Sequence, residues 1–170
     1  MGGGNFLFVE EGAMLTDCQF FLFGNNNRVI IHKNARLNNI VFWMEDDNNL
    51  IEIGCESSME GQSQLAVCEG TSLIIGNDSM FSSQVNFSTT DSHSIEDLEG
   101  YRINQAKDIQ IGNHVWIGQK TLVLKGSSVA DNCIVGAYSL VNKKLTETNS
   151  IYAGHPAHKV KEGINWNRER

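Results

Sequence analysis

Residues 111–145, IGNHVWIGQKTLVLKGSSVADNCIVGAYSLVNKKL, carry an aliphatic side chain at every sixth position: Ile111, Ile117, Val123, Val129, Val135 and Val141. Four residues after each stands Val115, Thr121, Ser127, Cys133, Ser139 or Leu145, most of them small. Gly112, Gly118 and Gly136 directly follow three of the aliphatics, where a tight corner favours the absence of a Cβ. A helix repeats every 3.6 residues or so and a lone strand every two, so a period of six belongs to neither.

The same step runs through the first half inside a longer unit. Val9, Ile31, Ile53 and Ile75 are each 22 residues apart, and N5-F-L-F-V9, N27-R-V-I-I31, N49-L-I-E-I53 and T71-S-L-I-I75 superimpose. Each unit is three six-residue steps (9/15/21, 31/37/43, 53/59/65, 75/81/87) plus four extra residues. Three short strands per turn, stacked coil on coil, predict an all-β chain folded as a triangular parallel β-helix. The single-domain reading has coils over about 5–87 and 107–146, an extruded loop over about 88–106 and a C-terminal tail over 147–170.

The run IGNHVWIGQKTLVLKGSSVADNCIVGAYSLVNKK followed by IYAGHPAHKVK resembles the hexapeptide-repeat acyltransferases, which include sugar and polysaccharide O-acetyltransferases. The resemblance implies a left-handed coil, although parallel crossovers are normally right-handed. It also implies acetyl-CoA as donor and a homotrimer with active sites in the clefts between neighbours. One departure stands out: the family usually has asparagine where AGHPAHKV has His155.

Side chains alternate along a strand, so the residue before each repeat aliphatic should point outward. These are Phe8, Ile30 and Ile74 on one face, Met14, Met80, Trp116 and Ile134 on the next, and Phe20, Phe42, Leu122 and Leu140 on the third. So many large apolar groups predict prisms packed side by side.

From Ile75 to Ile111 is 36 residues, one 22-residue coil plus 14, and the surplus falls between Phe87 and Lys107. A β-helix accepts an insertion at a corner, and loops held on a rigid stack are where chemistry concentrates. His93 lies in this loop, 23 residues before Trp116. In the enzymes this chain resembles, one loop histidine ahead of the VWIG motif is the general base, and His93 matches that place. An imidazole with a pKa near about 6.5 can take the proton of an attacking hydroxyl at neutral pH. Asp91 and Glu69, one coil apart, are candidates to orient it; His155 is the alternative base.

Trp116, Gly118 and Ala137 mark the expected donor track, and Lys143, Lys144 and Lys159, with Lys161, Arg168 and Arg170, suit its phosphates. Glu60, Gln62, Gln64, Asn86 and Tyr101 are placed to meet an acceptor's hydroxyls. His155 and His158, with no third ligand in view, make a poor metal site, so no metal is expected.

The chain's net charge of −7 gives no electrostatic support for nucleic-acid binding. Residues 1–100 carry three positive and fifteen negative groups, whereas residues 101–170 carry ten and five, which suggests an anionic partner toward the C-terminal half. No secretory signal or membrane span is visible, and four cysteines without a CxxC pair read as reduced thiols in the cytoplasm. The leading reading is acetyl transfer from acetyl-CoA to a hydroxyl of a sugar or surface polysaccharide. An N-acyltransferase acting on an amino-sugar nucleotide and a non-catalytic β-helix assembly protein are the alternatives.

Overall fold

The computed structural model describes residues 2–169. They form a left-handed parallel β-helix of about six coils, without a helix among the described residues. The first face stacks β1 (Phe6–Val9), β4 (Arg28–Ile31), β7 (Leu50–Ile53), β10 (Ser72–Ile75), β13 (Ile109–Ile111), β16 (Ser128–Val129) and β19 (Lys144–Leu145). The second stacks β2 (Met14–Thr16), β5 (Arg36–Asn38), β8 (Ser58–Met59), β11 (Met80–Phe81), β14 (Trp116–Ile117), β17 (Ile134–Val135), β20 (Ser150–Gly154) and β21 (Ala157–Glu162). The third stacks β3 (Gln19–Leu22), β6 (Ile40–Glu45), β9 (Ser63–Cys68), β12 (Asn86–Ser88), β15 (Leu122–Leu124) and β18 (Leu140–Val141). Among the described residues every pairing between these strands is parallel except β20 with β21.

The repeat aliphatics form the core: Ile31, Ile53, Ile75, Ile111 and Val129 make one buried row, and Phe81, Ile117 and Val135 part of another. The corners explain the abundance of asparagine and aspartate. Asn34, Glu56, Asp78, His114 and Asn132 all hold positive φ at the first corner, between the first and second faces. That left-handed conformation is tolerated best by glycine, asparagine and aspartate. At the third corner, between the third and first faces, a buried ladder satisfies the backbone: Asn27 Oδ1 accepts the Asn49 amide at 3.0 Å, and Asn49 Oδ1 accepts that of Thr71 at 3.2 Å.

One register differs from the expectation. Phe42 is 0 % exposed, and Trp43 is the outward residue. Phe20 likewise stacks on Phe42 at 4.5 Å against the core, while Phe21 is exposed. The reason lies at the corners. Phe42 pairs with Leu65, 23 positions on, although Ile31 pairs with Ile53 at 22. The first two coils have one residue fewer at their second corner and one more at their third, so the 22-residue period survives while the third face slips by one. In a strand a one-residue slip exchanges the two faces.

Candidate active site

The chain leaves the third corner after Ser88 and returns at Lys107, whose amide donates to the Thr89 carbonyl at 2.9 Å. The two ends of the loop therefore meet, and the residues between them project without disturbing the stack. Inside the loop, Asn104 is the hub. Its Oδ1 accepts the Ile95 amide at 2.7 Å and Arg102 Nε at 3.2 Å. Its Nδ2 donates to Asp91 Oδ2 at 2.8 Å and to the His93 carbonyl at 2.9 Å.

Two charge pairs tie this hub to the rigid coils. Arg102 grips Glu69 with both terminal nitrogens, at 2.7 and 2.9 Å, a bidentate geometry that fixes orientation as well as distance. Those bonds, with one from Thr90, hold the Glu69 carboxyl at a pKa of about 2. Lys125, on the next coil at the same corner, pairs with Asp91 and donates to the Asn104 carbonyl. The Lys125 and Asn104 bonds hold the Asp91 carboxyl below its usual range.

His93 is thus held through its backbone, its amide on the Asp91 carbonyl at 2.8 Å and its carbonyl on Asn104. The side chain is exposed and makes no hydrogen bond among the described residues. The expectation that Asp91 or Glu69 orients the imidazole is corrected: both carboxylates are engaged by Lys125, Asn104, Thr90 and Arg102, and they position the loop instead. Arg102, Asn104 and Lys125 escaped sequence reading. Each acts across 13 to 34 residues, and no spacing rule marks such partners.

Trp116 stands on the second face, 36 % exposed, with its ring 6.1 Å from that of Trp166. Trp166 is 6 % exposed and stacks on the His114 ring at 4.2 Å. The tail that bears it continues to Arg168, which binds Asp78 Oδ1 at 3.1 Å and Ser58 Oγ at 2.8 Å. Arg168 is therefore bound along the second face, away from Lys143 at the third corner and from Lys144 on the first face; Arg170 lies outside the described residues.

Other expected donor residues scatter. Gly118 is buried, and a Cβ on it would meet the Ala137 amide nitrogen at 2.5 Å, so this glycine serves coil stacking rather than an open approach to a ligand. Ala137 is exposed at the second corner. Lys159 is held by Glu147 and Glu162, which keep its ammonium well above the usual lysine range, so it is not free for a phosphate.

The expected acceptor residues do not converge either. Glu60 and Gln62 sit at the second corner, bonded to Asn38 (3.1 Å) and Gln84 (3.0 Å). Asn86 Oδ1 accepts the Gln64 amide at 3.1 Å, a contact within the stack. Tyr101 is exposed on the loop.

In a triangular prism the third corner is the vertex opposite the second face. The loop carrying His93 is stapled to that corner by Glu69 and Lys125, and Trp116 lies on the face across from it. No group of three or more His, Cys, Asp or Glu is arranged to hold a metal among the described residues. Among the described residues no helix is long and apolar enough to cross a membrane.

The bacterial transferase hexapeptide (six repeats) family matches residues 108–143. A polysialic acid O-acetyltransferase of Neisseria meningitidis is 32% identical, over 99% of this chain and 88% of that protein. A second, from Escherichia coli O1:K1 / APEC, is 31% identical over 82% of this chain but only 45% of its own length. Among solved structures, a polySia-specific acetyltransferase superimposes with a TM-score of 0.79 at 27% identity, covering 99% of this chain and 87% of that one. With its coiled stack, its one extruded loop and a likeness that runs nearly end to end, the chain belongs to the hexapeptide-repeat acyltransferases.

Proposed function

We propose that this acyltransferase moves the acetyl group of acetyl-CoA to a hydroxyl of a sialic acid unit in a surface polysaccharide, with His93 as general base. The likeness to the meningococcal polysialic acid O-acetyltransferase, spread over 99% of the chain, carries the choice of acceptor. The loop supplies the chemistry. An imidazole held by its backbone but free at its ring can take the hydroxyl proton as the sugar oxygen attacks the thioester carbonyl. The tetrahedral intermediate then collapses, the C–S bond breaks, and the proton on His93 passes to the departing CoA sulfur. The acetyl ester and free CoA thiol are the products, and the base is regenerated.

The working unit in this reading is a cytoplasmic homotrimer. Its support is geometric: His93 and Trp116 lie on opposite sides of one prism, so a site using both takes one from each of two chains. Trp116 and Ala137 then flank the donor on the neighbour, with exposed Lys143 a candidate for its phosphates.

The test is direct. Purified protein, acetyl-CoA and polysialic acid should give acetyl esters on the polymer, detected by mass spectrometry and removed by mild base. Base-stable products formed only with amino-sugar nucleotides would point to amide formation and overturn the assignment. Absence of turnover with every hydroxyl and amino acceptor would favour a non-catalytic assembly role.

A further inference from the structure

Next to the His93 loop, at the same corner, lies a groove of about 530 Å³ that the reaction above does not use. Lys107, Lys125, Lys144, Gln110, Ser128 and Asn142 line it. We propose that this groove binds the carboxylates of an acidic polysaccharide and so seats the acceptor chain beside the base. The inference rests on the acceptor reading given above and adds the place and the groups that recognise it.

Three observations carry it. First, the stack itself lines up the polar groups: Lys107 and Lys125 come from successive passes through the third corner, and Lys144 opens β19 on the first face just after the next pass. Gln110, Ser128 and Lys144 are in register on adjacent strands of the first face. A row of donors parallel to the prism axis suits a polymer with one carboxylate per unit better than a single compact anion.

Second, the aliphatic stem of Lys107 lies across Gly126. A Cβ there would come within 3.1 Å of Lys107 Cδ, and Gly126 has a φ of +73°. The glycine thus leaves room for the stem to lie against the backbone, which limits where its ammonium can point.

Third, the charge is available. Neither Lys107 nor Lys144 enters an ion pair among the described residues, whereas Lys125 is taken by Asp91. The one acidic lining residue, Asp108, turns Oδ1 to the Ser72 amide at 2.8 Å. Lys125 is also the wall shared with the catalytic loop, so a chain bound in the groove runs directly past the segment that carries His93. In a protein with net charge −7, this basic strip is a local exception that draws an acidic polymer to one edge.

The experiment compares wild type with the double variant Lys107→Ala/Lys144→Ala; Lys125 is left intact because it holds the loop. Oligosialic acid and the same material with its carboxyls methyl-esterified are the probes, by titration calorimetry. The variant should bind the acid about tenfold more weakly at low ionic strength, with the gap closing as salt screens the contacts. The ester should bind equally weakly to both proteins, and the KM for acetyl-CoA should stay within about twofold. Equal affinity of both proteins for the acid form would sink the proposal, as would a rise confined to the acetyl-CoA KM, which would assign the lysines to the donor. Ester formation is scored separately. A wild type that acetylates the polymer while the variant binds it unimpaired disproves the groove alone. Lysine-dependent binding without acetylation upholds the groove and disproves the acceptor assignment.

Discussion

Trp166 and His114, 52 residues apart, exchange hydrogen bonds while their rings are stacked: the indole Nε1 donates to the His114 carbonyl at 2.9 Å, and His114 Nε2 meets the Trp166 carbonyl at 2.9 Å. The other imidazole nitrogen meets Asp78 Oδ2 at 2.7 Å. The tail is thereby latched onto the second face beside Trp116. Trp166→Ala should release residues 163–169, with a loss of about 2 kcal/mol in docking free energy from stacking and hydrogen bonding. Hydrogen exchange of that segment and a red shift in Trp116 emission would report it; unchanged protection would show that the latch contributes nothing.

The latch should also fail in acid. Burial alone would raise the Asp78 pKa, but hydrogen bonds from His114 and Arg168 outweigh it and hold the carboxyl below its usual value. A depressed carboxyl contributes stability above its unfolded pKa and loses it as pH falls through the folded one. Tail protection should therefore decline below a pH of about 4. In Asp78→Asn that acid step should vanish.

Glu69 offers a second acid-sensitive joint. Its pKa of about 2 reflects first the Arg102 bonds and then that from Thr90. The sign is the same as for Asp78, so loop docking should weaken as pH falls from about 4.5 toward 2. At neutral pH, Arg102→Leu should lower kcat by about tenfold, because the loop that aims His93 is loosened, while the melting temperature moves little. A kcat that survives Arg102→Leu would mean that Asn104 and Lys125 suffice to hold the loop.

His93→Ala should reduce turnover by about 10² to 10⁴, with the acetyl-CoA affinity and the fold intact. The loop stands outside the core, so truncating an exposed side chain there removes no packing. His155→Ala, with its side chain exposed on the far C-terminal turn, is the control. Should it be the inactive variant, the base belongs to that turn.

Shared sites predict complementation. His93→Ala and Trp116→Ala chains, each weak alone, should regain activity when co-expressed, since a mixed assembly contains one cleft with both residues intact. Light scattering should give a trimer mass throughout. Co-expression without recovery would place the whole site within one chain.

The slipped register on the third face can be checked by stability. Phe42→Ala should cost about 3–5 kcal/mol, as expected for a fully buried aromatic ring, and Trp43→Ala distinctly less. Equal costs would restore the unslipped register.

The period of six and the 22-residue unit were enough to read the coiled stack, because each strand's burial depends on a local alternation and each corner on its own backbone preference. The 14-residue surplus between Ile75 and Ile111 marked the loop for the same reason: a fixed repeat makes any excess visible. The tertiary structure alone decided what depends on partners remote in sequence. Phe42 or Trp43 as the buried residue turned on one residue moved between two corners, which leaves the period unchanged. The engagement of Glu69 by Arg102 and of Asp91 by Lys125, and the burial of Trp166 on His114, join side chains 33 to 52 residues apart. Charge pairs and stacked rings have no period; they form where folding brings their elements together, so these contacts follow from the coil's geometry and leave no mark in the spacing of the residues.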